Sequence, residues 1–103
     1  MFLVVFRNRK RADIDAAAYH ADADAMWQLA KEQPGYISFK SYTAEDGEVV
    51  AISEWVDEAA ALAWRRVAEH AEMQAKGRET YYEDYTLFAG TPTRLHRFSR
   101  TKA

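Results

Sequence analysis

The sequence predicts an α+β fold of the ferredoxin-like type, in which a four-stranded antiparallel sheet carries two helices on one face. Three observations support this prediction. The chain opens with a continuous β-prone run, FLVVF. Two later stretches repeat apolar residues at helical spacing. A tight-turn sequence, Glu45-Asp46-Gly47, separates two strand-like segments. The resulting order, β-α-β-β-α-β, is that of the ferredoxin-like fold.

The first strand is predicted from Met1 to Arg9, where both faces are apolar, as in a strand at the centre of a sheet. A helix from about Ile14 to Glu32 follows, with Asp13 as the N-cap whose carboxylate accepts from free backbone N–H groups. Pro34-Gly35 ends this helix. Its inward stripe is spaced three or four residues apart and consists of Tyr19, Ala23, Met26 and Ala30.

A β-hairpin is predicted after this helix. Its first arm runs from Tyr36 to Thr43, where alternation places Ile37 and Phe39 on one face of the sheet. Its second arm runs from Glu48 to Trp55, directly after the turn.

The second helix is predicted from Glu58 to Lys76. Asp57 precedes it as the N-cap, and Gly77 follows it as the residue that ends it. The last strand is predicted from Tyr81 to Phe88.

Composition limits the classes of protein to which the chain belongs. Its 103 residues suffice for one domain, and 49% hydrophobic residues permit a packed core. We predict one domain over residues 1–90 and a basic tail over residues 91–103. The net charge of -2 argues against nucleic-acid binding. The absence of cysteine excludes disulfides and thiolate metal sites, and no apolar run is long enough for a membrane span, so we expect a cytoplasmic protein without membrane partners.

The predicted architecture leaves one face of the sheet uncovered, because both helices lie on the other face. The strands are too apolar for that face to meet water alone. We therefore expect a second copy of the chain to cover it, forming a homodimer.

The segments WVDEAAALAW and EHAEMQAKGRETYYEDY, with the strand order and the chain length, resemble the antibiotic biosynthesis monooxygenase (ABM) family of dimeric α+β barrels. The resemblance extends from Met1 to about Phe88. Members of this family include cofactor-free oxygenases that turn polyketide phenols into quinones, haem-degrading monooxygenases and quinol-handling proteins. The resemblance therefore implies a small monooxygenase that oxidises an aromatic, polyketide-like phenolic substrate with O2, without flavin or metal.

Two alternatives to this function stay open. The haem-degrading branch uses an Asn on the first strand, a Trp on the second helix and a later His as the iron ligand. Asn8 and Trp64 resemble the first two, whereas Gln74 falls near the position of the ligand and His70 comes earlier. Haem binding with haem degradation is therefore one alternative. A non-enzymatic ligand-binding or structural dimer is the other.

Three candidate site residues lie on the second helix. Trp64 and Gln74 share one face, with His70 on its flank. A neutral imidazole takes or gives a proton near pH 7, so we predict His70 as the catalytic base, with a structural or surface role as the alternative. Trp64 either forms a pocket wall or packs in the core. Gln74 either bonds a ligand carbonyl or lies in solvent.

Three further candidates lie on strands. Asn8 is unusual in an apolar strand, and it either contacts the substrate or oxygen or marks the edge of the core. Alternation along the last strand predicts Tyr82 and Tyr85 on opposite faces, one meeting the helices and the other the dimer interface. Either tyrosine could line the pocket for a small aromatic molecule, and packing is the alternative. No metal site is predicted, because the three His are scattered and no carboxylates are suitably paired.

Overall fold

The computed structural model describes residues 1–70 and 81–100, and for residues 69 and 70 it describes the backbone alone. The predicted order of elements is confirmed. The elements are β1 (Phe2–Lys10), α1 (Ala16–Lys31), β2 (Tyr36–Thr43), β3 (Val49–Trp55), α2 (Glu58–His70) and β4 (Tyr82–Gly90). The predicted continuation of the second helix to Lys76 and its end at Gly77 lie outside the described residues. Residues 91–100 have no regular secondary structure.

The four strands form one antiparallel sheet in the order β2-β3-β1-β4. The apolar β1 occupies an inner position, as its two apolar faces predict. Both helices pack on the same face, because residues of α1 and α2 line one cavity together with residues of the sheet. This is the predicted ferredoxin-like α+β architecture. Neither helix, within the residues described, is long and apolar enough to cross a membrane.

Trp55 is the centre of the core between the sheet and the helices. It is fully buried at the end of β3, and its indole N–H donates to Ser53 Oγ at 3.0 Å. Its ring stacks on Trp64 of α2 at 6.0 Å between centroids and meets the edge of Tyr36 at 5.8 Å. The hydrogen bond offsets the cost of burying the only polar atom of the indole.

The cap of α1 corrects the sequence-based prediction. Asp15 rather than Asp13 is the N-cap, and its carboxylate accepts from the backbone N–H of Ala18 at 3.1 Å. The helix therefore begins at Ala16. Asp13 instead forms an ion pair with Arg11 at 2.9 Å. The predicted cap of α2 is confirmed, since Asp57 accepts from the N–H of Ala60 at 2.9 Å.

An irregularity in β2 separates Ile37 from Phe39, which are predicted to lie on the same face of the sheet. Tyr36 pairs with Trp55 and Ser38 pairs with Glu54, which leaves Ile37 as an extra residue without a partner in the register. Tyr36 and Phe39 therefore lie on the helix side, whereas Ile37 is 46% exposed. The predicted pairing of Ile37 with Phe39 on one face is wrong, because a bulge breaks the period of two.

A second irregularity, between β1 and β4, changes the face of the sheet on which Tyr82 lies. Arg9 pairs with Asp84 and Lys10 pairs with Tyr82, so Glu83 has no partner in the register. Tyr82 consequently lies on the same face as Tyr85, and the prediction that they lie on opposite faces is wrong. Lys10 lies on the helix face as well, because it follows Asn8 by two residues on β1.

The other face of the sheet is open and carries a group of apolar side chains beside charged ones such as Arg7 and Glu54. Because successive residues alternate between faces, it follows from the register which side chains lie there. They include Leu3, Val5, Tyr42, Val50, Ile52 and Phe88. Tyr42 is 54% exposed and Phe88 is 52% exposed in the single chain.

Candidate active site

A cavity of about 250 Å³ lies between the sheet and both helices. Its walls are mainly apolar and aromatic, as is usual for sites that bind small molecules. An apolar cavity of about 150 Å³ is enough to bind benzene, so this one has room for a larger aromatic molecule. The sheet contributes Val4, Phe6, Phe39, Ala51 and Leu87, α1 contributes Tyr19, Ala23 and Met26, and α2 contributes Trp64 and Ala68.

Asn8 brings an amide group into this apolar surface. It lies on β1 with 2% of its surface exposed, and it lines the cavity. Its Oδ1 accepts a hydrogen bond from the Nζ of Lys10, two residues along the same face. This contact satisfies an oxygen whose burial would otherwise be costly.

Three aromatic rings on β1 and β4 form one side of the cavity. The ring of Phe6 lies 5.3 Å from that of Tyr82 and 5.3 Å from that of Tyr85, between centroids. The two tyrosine rings are 5.9 Å apart. Burial, with a further contribution from nearby Tyr19, raises the pKa of Tyr82 well above its usual range. Tyr82 is therefore a neutral phenol that donates a hydrogen bond rather than a base.

A tyrosine and a carboxylate meet on the α1 side of the cavity. The buried Tyr81 donates its hydroxyl to the carboxylate of Asp22. The rings of Tyr81 and Tyr19 pack edge to face at 5.3 Å. Sequence reasoning missed Asp22, although it comes three residues after Tyr19 and therefore shares the inward stripe of the helix.

The structure brings four of the six predicted site residues together. Asn8, Trp64, Tyr82 and Tyr85 all line the cavity. Trp64 takes part in both the core and the pocket wall, because it also stacks on Trp55. The backbone of His70 ends the described part of α2, but its side chain is outside the described residues, as is all of Gln74. The catalytic and binding roles of all six residues stay predictions.

The structure offers no obvious metal site in the part of the chain that it describes. No group of three or more His, Asp or Glu side chains within residues 1–68 and 81–100 is arranged to hold a metal ion. His20 is exposed on α1 and His96 lies in the exposed tail.

Sequence comparison shows similarity to a family model and to individual known proteins. The sequence model of the family described as "Antibiotic biosynthesis monooxygenase" matches residues 1–76. "Uncharacterized protein YqjZ" of Bacillus subtilis is 31% identical over 86 residues, which cover 84% of this chain and 74% of that protein. "Jasmonate monooxygenase ABM" of Pyricularia oryzae is 30% identical over 104 residues, which cover 99% of this chain. The chain spans 48% of the length of that second relative.

Solved structures share the fold. Rv0793 from Mycobacterium tuberculosis has a TM-score of 0.78 at 22% identity, covering 93% of this chain and 98% of that one. SnoaB from Streptomyces nogalater, described as a cofactor-independent oxygenase, has a TM-score of 0.75 at 16% identity, covering 91% of this chain and 94% of that one. At these identities the likeness shows the fold alone.

Proposed function

The chain belongs to the antibiotic biosynthesis monooxygenase family, and from that premise we propose that it is a small monooxygenase that oxidises a phenolic aromatic substrate with O2, without flavin or metal. The cavity between the sheet and the helices carries this proposal. Its aromatic walls suit a flat ring, and its few polar groups, such as Asn8, suit the orientation of a ring oxygen. The description of SnoaB as a cofactor-independent oxygenase supports a reaction that needs no cofactor.

The proposed reaction balances without an external reductant. A base takes the phenolic proton, and the electron-rich phenolate passes one electron to O2, giving a phenoxyl radical and superoxide. The two recombine with formation of a C–O bond at a ring carbon that carries hydrogen. The base returns its proton to the distal oxygen of the peroxide. The O–O bond then breaks as the ring hydrogen leaves as a proton, the distal oxygen departs with both protons as water, and the ring becomes a quinone. One oxygen atom enters the product and the other becomes water.

The predicted residues take definite roles in this proposal. His70 is the base, because an imidazole accepts a proton near pH 7. Asn8, Trp64 and Gln74 orient the ring and stabilise the charge that develops on oxygen. Tyr82 and Tyr85 line the pocket, and the raised pKa of Tyr82 keeps its hydroxyl protonated, so that it has a proton to donate in a hydrogen bond to the substrate.

Oxygen uptake by His70→Ala tests the role of the base. With a hydroxylated anthrone such as dithranol as the substrate, we expect the variant to lose about 100-fold or more in kcat, the usual contribution of a general base. His20→Ala is the matched control, because His20 is exposed on α1, and it should retain the wild-type rate. Unchanged oxygen uptake by His70→Ala would show that His70 is not the base. A hemin titration of the same preparations checks the haem alternative, which an absent Soret shift would exclude.

We propose further that the chain acts as a homodimer in which the open faces of the two sheets meet. The apolar side chains on that face support this arrangement, since a patch of this kind rarely stays exposed on a monomer. It is also the arrangement that the resemblance to dimeric α+β barrels implies.

A further inference from the structure

We propose that Lys10 forms a positively charged subsite at one end of the cavity, which selects an acidic aromatic substrate and holds its anionic oxygen. This inference rests on the proposed function in one respect, namely that the cavity is the substrate site. It adds the charge of the ligand that the cavity takes and the residue that recognises it.

The basic residues around β1 differ in how their charges are balanced. Within the described part of the chain, three of the four form ion pairs at 3.1, 2.8 and 2.9 Å, whereas no carboxylate lies within 4.0 Å of Lys10 Nζ. The three pairs are Arg7–Glu48, Arg9–Asp46 and Arg11–Asp13. Lys10 therefore carries a charge that no described acidic side chain neutralises.

The contacts of Lys10 hold its ammonium group beside the cavity. Lys10 lies two residues after Asn8 on β1 and therefore shares its face, the helix face, where Nζ donates to Asn8 Oδ1. Nζ also lies 4.6 Å from the ring centroid of Tyr19 and 5.4 Å from that of Tyr82. All three of these neighbours line the cavity. Ring faces and an amide oxygen stabilise a cation without cancelling its charge.

This arrangement leaves the ammonium able to bind a ligand. An ammonium group has three N–H donors, and the hydrogen bond to Asn8 occupies one of them among the contacts described. Attraction between charges is stronger beside apolar walls than in water, because less solvent screens it. An anionic oxygen of a ring bound in the cavity would therefore gain most by pointing at Lys10.

Asp22 makes the polar end of the cavity asymmetric. Its carboxylate also lines the cavity and accepts from the hydroxyl of Tyr81, whose ring packs on Tyr19. Groups of opposite charge thus lie near Tyr19. A substrate with an anionic oxygen is repelled from Asp22 and attracted to Lys10, which fixes the orientation of its ring.

The subsite also assists the proposed reaction. A cation beside a phenolic oxygen stabilises the phenolate more than the phenol, so it lowers the pKa of the bound substrate. The proton leaves to the base, and Lys10 keeps its own proton throughout.

Two ligands of similar shape and different charge test this proposal. We expect the wild-type protein to bind 2-naphthoate about tenfold more tightly than its neutral analogue 2-naphthamide, as a hydrogen bond to a charged group commonly contributes that much. Calorimetric titration at pH 7.5 measures both affinities. Lys10→Met should remove the preference and leave the affinity for 2-naphthamide within about twofold, whereas Lys10→Arg should keep the preference, because it keeps the charge.

Lys31→Met is the matched control. Lys31 also places its ammonium over an aromatic ring, 4.4 Å from the centroid of Trp27, but it is exposed on α1, and Trp27, unlike the rings beside Lys10, does not line the cavity. The control should keep the wild-type preference. Thermal melting checks the fold of each variant. If Lys10→Met does not fold, the affinities of the wild type and of Lys10→Arg for the two ligands provide the test.

Three results would overturn the proposal: equal affinities in the wild type, a preference that survives Lys10→Met, or no binding of either ligand. Oxygen uptake measured in parallel separates this inference from the proposed function. A preference for 2-naphthoate without any oxygen uptake supports the subsite and contradicts the monooxygenase. Oxygen uptake without a preference for 2-naphthoate supports the monooxygenase and contradicts the subsite.

Discussion

At the scale of single residues, Tyr82 joins the aromatic wall of the cavity to its charged end. Its ring packs edge-on against Phe6 and lies 5.4 Å from the ammonium of Lys10. Burial is the main reason that its pKa is raised, since the phenolate form would lose its hydration. A neutral hydroxyl at this point donates to a ligand oxygen without adding a negative charge.

The raised pKa of Tyr82 predicts how stability depends on alkaline pH. The folded pKa lies above the unfolded value of about 10, so the protonated form is favoured in the folded state. The resulting stabilisation is fully present below pH 10 and is lost as the pH rises toward the folded pKa. We expect the free energy of unfolding to fall less steeply with pH in Tyr82→Phe than in the wild type. Urea titrations between pH 9 and about 11 measure this slope.

The control for the alkaline titration is Tyr42→Phe, which removes a tyrosine that is 54% exposed on the other face of the sheet. It should retain the slope of the wild type. Identical slopes for Tyr82→Phe and the wild type would contradict the account of Tyr82.

At the scale of elements, Gly35 controls how the turn between α1 and β2 meets the start of α2. Its φ is +84°, a region that side chains with a Cβ rarely adopt. A Cβ at this position would lie 2.6 Å from Ala60 Cβ and 2.8 Å from Val56 Cγ2. The carbonyl of Gly35 accepts from the N–H of Val56 at 2.9 Å, which fixes the approach.

Gly35→Ala should therefore lower the free energy of unfolding by roughly 2–4 kcal/mol, through backbone strain and overpacking together. Gly47→Ala isolates the first of these effects. Gly47 has a φ of +91° but nothing within 4 Å of an added Cβ, so we expect a loss of about 1–2 kcal/mol. Chemical denaturation measures both changes. Equal losses would mean that the contact with Ala60 adds no strain.

The elements also show what the sequence could predict. The strand order, the hairpin and the cap at Asp57 follow from local patterns, and the structure confirms them. The bulges that expose Ile37 and turn Tyr82 toward the helices do not, because the register depends on hydrogen bonds to the neighbouring strand. Asp13 and Asp15 are both suitable cap residues in the sequence, and in the structure Asp13 pairs with the nearby Arg11 while Asp15 caps the helix.

The candidate site was predictable in part for the same reason. Asn8 and Trp64 stood out as a polar residue in an apolar strand and a large aromatic on a helix face, and both line the cavity. Lys10 and Asp22 resemble ordinary solvent-exposed charges in the sequence. The packing of α1 on the sheet brings Asp22 to the cavity and places Tyr19, which lines the cavity, beside the ammonium group of Lys10.

At the scale of the whole molecule, the open face of the sheet sets the expected assembly. If two copies meet there, Phe88→Glu should yield a monomer, because the substitution introduces a charge into an apolar contact. Light scattering after size-exclusion chromatography measures the mass, which we expect to equal two 11.8 kDa chains for the wild type. Leu62→Glu is the control, since Leu62 is 46% exposed on α2, away from the sheet face. A wild-type monomer, or a dimer that survives Phe88→Glu, would contradict the proposed interface.

The central claim is that the cavity carries out a reaction with O2 in which the substrate supplies all the electrons. The stoichiometry of oxygen consumption tests this claim most directly. The protein is treated with a chelator, no flavin is added, and dissolved oxygen and quinone are followed together with dithranol as the substrate. We expect catalysed uptake of one O2 for each quinone formed, with no peroxide released, because the second oxygen atom leaves as water. A rate no higher than that of protein-free buffer, or hydrogen peroxide accumulating in step with oxygen uptake, would contradict the account.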